Sequence, residues 1–214
     1  MEDGFLGLPL KVSGTDGVAY TVKPYAATVE RVEKLWEEAG RYSFLFSEFT
    51  DDLDRERFIT YFLSPGVVIF EVFKDGGESV GIMYADQIRP EHSARGHYFF
   101  TDKVQKTREP VILAVLLWFM DTFGLNRIGI EIPWYAYSAL RRVYAMGIMP
   151  EGIKKGAVRF KGNWRDQLTF GIQRKDLNDD VVLRGRLQTG SDAVNWFGLL
   201  DNEPDLAKAI FKRD

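Results

Sequence analysis

Few kinds of side chain in this 214-residue chain can do chemistry. It has no cysteine, which excludes a thiol nucleophile, a disulfide scaffold and a zinc–cysteine site. Two histidines, without an H-E-x-x-H pair or a spaced carboxylate cluster, give no pattern for a metal centre. Neither a G-x-S-x-G elbow nor a Walker-type glycine loop is present. What remains is proton transfer and charge. Asp86, Glu131 and His97 fall in or beside strand-like segments, where a partly buried carboxylate or imidazole can accept a proton near neutral pH. Each reads equally as an ordinary strand or packing residue. Arg141, Arg142, Lys154, Lys155, Arg159, Lys161 and Arg165 gather towards the C-terminal part, with Phe160 and Trp164 among them. That mixture suits a nucleic-acid groove, but Glu151 and Asp166 interrupt it, and solvated strand edges carry the same charges.

Hydrophobic periodicity supplies the elements that must position these groups. Val18 to Tyr25 alternates as a first strand, which Pro24 ends or places at an edge. Val29, Val32, Leu35, Trp36 and Ala39 share one helical face, predicting a helix over Thr28–Ala39 capped by Gly40. A second helix spans about Asp51 to Leu63. Residues 67–73 (VVIFEVF) read as a buried strand, 75–77 (DGG) as a hairpin turn, Ser79–Asp86 as the returning strand and His97–Thr101 as another. Pro110 opens a helix that is apolar on every side, hence covered on most, and that ends at Gly124. Arg127–Ile132 is a short strand, Tyr135–Ala145 a helix, and Ile153–Phe160 and Gln167–Arg174 an antiparallel pair. Three meandering strands followed by a helical crossover predict an α/β fold with a mixed sheet. It is antiparallel at first and parallel where the buried helix bridges two strands. A glycine-rich arm (1–17) precedes this domain (18–177), and a helical appendage (178–214) follows it.

Charge and composition narrow the classes further. Lysine and arginine number 28 against 31 acidic residues, a net charge of −3, which argues against phosphate-backbone binding as the main task. A 45% hydrophobic content suffices for a sizeable core and excludes overall disorder. The longest apolar run, Val111 to Met120, has ten residues, about half a membrane span. The acidic N-terminus lacks a secretory layout. A soluble, cytoplasmic protein without a membrane partner is expected.

Four segments also follow a known order. They are YTVKPYAATVERVEKLWEE, VFKDGGESVGIMYADQI, SALRRVYAMGIMPEGIKKGAV and GNWRDQLTFGIQRKDL. Together they resemble the GNAT superfamily of acyl-CoA N-acyltransferases over residues 18–177. The resemblance implies a GNAT-like fold, acetyl-CoA as acyl donor and direct attack by a primary amine. Backbone N–H groups around Phe99, Phe100 and Thr101 would polarise the thioester carbonyl. The family's phosphate loop, Q/R-x-x-G-x-G/A, falls on Gln105, which puts Arg108 and Pro110 where glycines would let the backbone approach a pyrophosphate. Two readings of this loop stand side by side. Lys103, Lys106 and Arg108, with the Thr107 hydroxyl, hold the phosphates by side-chain charge, or they form a solvated basic loop. The family's acid, a Tyr four residues before a Gly, falls on Val143. Tyr144 lies one residue later, about 100° around the helix, and is carried as the candidate acid. Glu131, His97 and Asp86 are the candidate bases.

Two functions of different class follow. One is an N-acyltransferase acting on acyl-CoA and an amine acceptor. The other is a catalytically inactive GNAT-fold binding or structural protein. The chain also resembles GNAT-like proteins of tailed bacteriophages, some of them virion components, in its fourth strand (His97, Tyr98, Phe100, Asp102) and its altered loop. That resemblance implies a virion location and docking through 178–214, by Trp196, Phe197, Leu199, Leu200 and Phe211, onto a protein partner or a second copy in a homo-oligomer. The bland alternative is that this tail folds back on its own domain. The charge balance disfavours nucleic acid as a partner.

Overall fold

The computed structural model describes residues 9–15, 17–42, 51–75, 77–101, 108–185 and 187. Eight strands form one sheet in the order β1-β2-β3-β4-β5-β6-β8-β7. The strands are β1 (Leu10–Ser13), β2 (Ala19–Pro24), β3 (Val68–Lys74), β4 (Ser79–Arg89), β5 (Ser93–Phe100), β6 (Arg127–Pro133), β7 (Pro150–Phe160) and β8 (Asn163–Gln173). The mixed α/β sheet expected from the crossover is present. All neighbours are antiparallel except β5 and β6, which the apolar helix α3 (Glu109–Phe123) joins as a parallel pair.

The helices cover the two faces unequally. On one side α1 (Val29–Arg41) and α2 (Arg55–Phe62) bury Val32, Leu35, Ala39, Phe58 and Phe62 against Ile69, Ile82, Tyr84 and Phe99. Thr28 and Asp54 cap them by accepting from the backbone N–H groups of Arg31 and Arg57. Val29, expected on the buried face of α1, is in its first turn and exposed. On the other side α3, α4 (Tyr137–Ala145) and the short α5 (Asp179–Arg184) pack on the sheet. Helix α3 is buried almost all round, as its composition demands, and ends at Gly124 in a left-handed cap.

Several boundaries differ from those read in the sequence; α4 starts at Tyr137, β7 at Pro150 and β8 at Asn163. Residues 10–13 of the N-terminal arm pair with β2 as an edge strand. Strand β5 begins at Ser93 rather than His97, and β4 runs on to Arg89 past an irregularity between Asp86 and Arg89. The polar letters of 87–96 hide a continuing ladder because Asp86 and Arg95 satisfy each other across it. Finally, α2 starts at Arg55, since Asp54 is its cap and not an interior residue.

Candidate functional site

The feature that shapes the site is a divergence in the sheet. Strands β5 and β6 pair only at Ser93–Arg127, Ala94–Ile128 and Arg95–Gly129. Beyond these the two strands separate and leave a gap flanked by α3 and α4. Within β5 the direction of each N–H follows from its ladder with β4. Thr101 donates its N–H to the Val80 carbonyl at 3.0 Å. Antiparallel ladders alternate, so Phe99 and His97 also face β4, whereas the N–H groups of Phe100 and Tyr98 face the gap. Gly81 permits the close approach that holds this register: a Cβ there would lie 2.1 Å from the Phe99 carbonyl oxygen, at a φ of +150°.

Side chains from three elements converge on the gap. The Tyr98 hydroxyl crosses from β5 and donates to the Ala139 carbonyl of α4 at 3.1 Å. Burial pushes that hydroxyl up to about 12, with Arg142 pulling it down and Glu109 pushing it up, so it keeps its proton throughout the neutral range. The Arg142 guanidinium of α4 lies 5.6 Å from the Tyr98 ring centre and 5.4 Å from that of Phe100. From the other side Arg108, which precedes the first turn of α3, lies 4.7 Å from the Phe100 ring and is 0% exposed. Glu109 and Pro110 begin α3, and both are buried. Gly185, in left-handed conformation after α5, rests on them: a Cβ there would come within 3.0 Å of Pro110 and 3.1 Å of Glu109. Leu187 then ties this segment to α4, donating its N–H to the Met146 carbonyl. The described part of the C-terminal appendage therefore folds back on its own domain. Trp196, Phe197, Leu199, Leu200 and Phe211 lie outside the described residues.

The opposite face of β5 carries a different cluster. The Asp86 carboxylate accepts from the Tyr61 hydroxyl at 2.6 Å and from Arg95 at 2.9 and 2.5 Å, and it lies 3.3 Å from His97 Nε2. Burial alone would raise this carboxyl. The bonds from Arg95, His97 and Tyr61 more than reverse that and hold it well below the usual carboxylate range. His97 is enclosed here and stacks on Tyr84 at 4.5 Å. Glu131 is more accessible, in a cleft of about 260 Å³ with Gln87, Arg95, Arg127 and Thr169. Lys154 binds it, and Arg95 lies 3.7 Å away. Beyond the cleft the Asp51 carboxylate accepts from the N–H groups of Lys161 and Gly162, tying the α2 approach to the β7–β8 turn.

The residues expected to act thus separate. Phe100 and Arg108 meet at the gap, joined by Tyr98, Glu109 and Arg142, none of which was among the catalytic or cofactor-binding candidates. Phe99 faces the α1–α2 core. Thr101 donates both its N–H and its hydroxyl to Val80. Tyr144 is 38% exposed, whereas its neighbour Val143 is in the core. Gln105, Lys106 and Thr107 lie outside the described residues. A signal for Arg142 was available in its position between Leu140 and Val143, on the side of α4 that the periodicity buries.

No protein-family model and no curated protein sequence matches the chain. Solved structures do. RimJ of Mycobacterium smegmatis, in complex with CoA-disulfide, superposes with a TM-score of 0.62 at 16% identity, over 86% of this chain and 99% of that one. The fold is that of the GNAT acetyltransferases. Ribosomal-protein-S5-alanine acetyltransferase from Vibrio fischeri shares it with a TM-score of 0.60 at 14% identity, over 74% of this chain and 95% of that one. So does spermidine N-acetyltransferase from Vibrio cholerae, in complex with CoA and spermine, with a TM-score of 0.58 at 15% identity, over 73% and 96%. No described helix is long and apolar enough to cross a membrane.

Proposed function

We propose that this chain is a GNAT-type N-acyltransferase that takes an acyl group from acyl-CoA and passes it to a primary amine. The observation that carries this reading is the divergence of β5 from β6, which aims the N–H groups of Tyr98 and Phe100 into the gap. Donors fixed in a backbone need no reorganisation as negative charge grows on a thioester oxygen. The donor would supply an activated acyl group and an anionic phosphate end. The residues at the gap suit the second by side-chain charge: Pro110 has no N–H to offer at the start of α3, but Arg108 and Arg142 place two buried guanidinium groups beside Phe100.

On this reading the amine approaches from the face carrying Glu131. The nitrogen forms the new C–N bond as the C–S bond breaks; the amine proton passes to Glu131, and the thiolate takes a proton from water. Glu131 is favoured over His97 because His97 is enclosed and bound to Asp86. Tyr98 positions α4 through Ala139.

Isothermal calorimetry with acetyl-CoA, followed by mass spectrometry of a panel of amines, tests the reading. Saturable micromolar binding and a gain of one acyl group on an amine are expected. Absence of binding at millimolar ligand would sink it, leaving the binding or structural protein as the alternative.

A further inference from the structure

The cleft that holds Glu131 carries charge at both ends and glycine between them. At its outer end Arg89, Ser93 and Arg127 stand opposite one another on β4, β5 and β6. Glu131 and Thr169 are opposite at the inner end, beside the divergence. Alternate strand residues share a face, so Gly129 lies between Arg127 and Glu131, with Gly171 of β8 across from it. The two glycines do different work. A Cβ at Gly171 would fall 2.1 Å from the Arg127 guanidinium, so its absence lets that side chain lie across β8, one rung towards Glu131. A Cβ at Gly129 would meet the Ala94 and Phe170 carbonyl oxygens at 3.9 and 4.0 Å, an ordinary contact. Packing therefore does not require glycine at 129, but a trough open between the two charges does.

The charges say what would fill it. Among the described residues that line the cleft, Arg89, Arg95 and Arg127 stand against one carboxylate, Glu131. Asp86 holds Arg95, whose Nη1 lies 3.7 Å from Glu131, and Lys154 binds Glu131 from β7. Arg127 gives two of its five donors to Glu151. With these partners included, four cations face three carboxylates. A ligand with several positive charges would enlarge that excess, whereas a carboxylate would cancel it and match the guanidinium fork. Glu131 and Arg127 are four strand residues apart, about 13 Å. The cleft, at about 260 Å³, falls below the roughly 300–1,000 Å³ of a drug-sized pocket, so it suits a small molecule. We propose that the acceptor is a small amino acid, its amine at Glu131 and its carboxylate on Arg127, which makes Arg127 the residue that sets acceptor specificity. The part given to Glu131 rests on the acyl-transfer reading above. The transfer is the one already written: C–N forms as C–S breaks, and the amine proton passes to Glu131.

Thiol release from acetyl-CoA, with product masses as a check, tests this on the full chain. The acceptors are small α-amino acids, ω-amino acids from glycine to ε-aminocaproate, the carboxamides of each, and spermidine. The best amino acid should exceed its carboxamide about tenfold or more in kcat/KM, and spermidine should be the poorest acceptor. Arg127→Gln should lower kcat/KM for that amino acid about tenfold, through KM, and bring it level with the carboxamide. Gly129→Ala, which has room for its methyl, should weaken the same acceptor and keep a cooperative thermal transition. Carboxamides or spermidine accepted as well as amino acids overturn the proposal, as does an equal loss for every acceptor in Arg127→Gln. Acylation of proteins alone also overturns it and leaves acyl transfer standing. If nothing is acylated the acyl-transfer reading falls, and calorimetry with the same amino acids decides the site by itself. Binding that Arg127→Gln removes upholds the site, and no binding overturns it. Should Arg127→Gln fail to fold, Gly129→Ala decides in the same way.

Discussion

Strand β5 carries a buried charged cluster on each face, and the two are finished differently. Towards α1 and α2, Asp86 is met by Tyr61, Arg95 and His97. Towards α3 and α4, Arg142 lies over the rings of Tyr98 and Phe100, and Glu109 Oε2 is buried without a hydrogen-bond partner among the described residues. A satisfied network fixes strand positions and asks nothing of a ligand. A buried polar atom without a partner is the exception that calls for an explanation. The difference separates scaffold from site more sharply than residue type does, since both clusters contain an arginine and a carboxylate.

The largest expected effect breaks the satisfied cluster. Asp86→Ala removes the carboxylate shared by Tyr61, Arg95 and His97 and should cost about 3–5 kcal/mol of unfolding free energy, measured by urea denaturation. The pH dependence has a fixed sign. The folded carboxyl titrates below its unfolded value of about 3.9, so its stabilisation is full above that value and fades as pH falls towards the folded one. The stability gap between wild type and Asp86→Asn should therefore be constant above about pH 4 and shrink below it. A gap that does not change there would mean that Asp86 is not held by its partners.

An opposite result is expected across the strand. Glu109 lies in the first turn of α3, and its negative charge raises the Tyr98 hydroxyl. Glu109→Gln removes like-charge repulsion and should tighten coenzyme A binding about three- to tenfold. Stability should change by less than about 1 kcal/mol, the scale of a carboxylate's interaction with a helix N-terminus. If binding weakens instead, Glu109 acts as a ligand partner rather than as an opposing charge.

Much of the scaffold was legible because periodicity reports burial. The all-round apolar letters of 111–120 required a covered helix, and the meander followed by a crossover required one parallel pair. The strand from Ser93 was hidden because Arg95 pairs with Asp86 only through tertiary contact. The site was less legible for the same reason. Family spacing drew attention to Gln105–Arg108 and Tyr144, but whether Arg142 or Tyr144 turns inward depends on how α4 is rotated. Val143 decides that by entering the core. No spacing rule encodes the inward turn of Arg142 onto the rings of Tyr98 and Phe100, which depends on tertiary packing.

The smallest expected effects sharpen this point about α4. Tyr98 and Tyr144 are both tyrosines near the gap, but only Tyr98 spans it, through the bond to Ala139. Tyr98→Phe should cost about 1 kcal/mol in unfolding free energy, the typical value of one hydrogen bond. It should also loosen α4 from β5, which faster amide exchange across residues 137–145 would register. Tyr144, 38% exposed, should tolerate Phe within about 0.5 kcal/mol and with unchanged acyl transfer. If Tyr144→Phe instead slows transfer tenfold while stability holds, its hydroxyl reaches the reacting thiolate. Helix α4 must then turn by about the 100° that separates successive residues, a rotation that would withdraw Val143 from the core and carry Arg142 away from Phe100. The two substitutions therefore test one rotation of one helix, Tyr98→Phe through stability and exchange and Tyr144→Phe through acyl transfer.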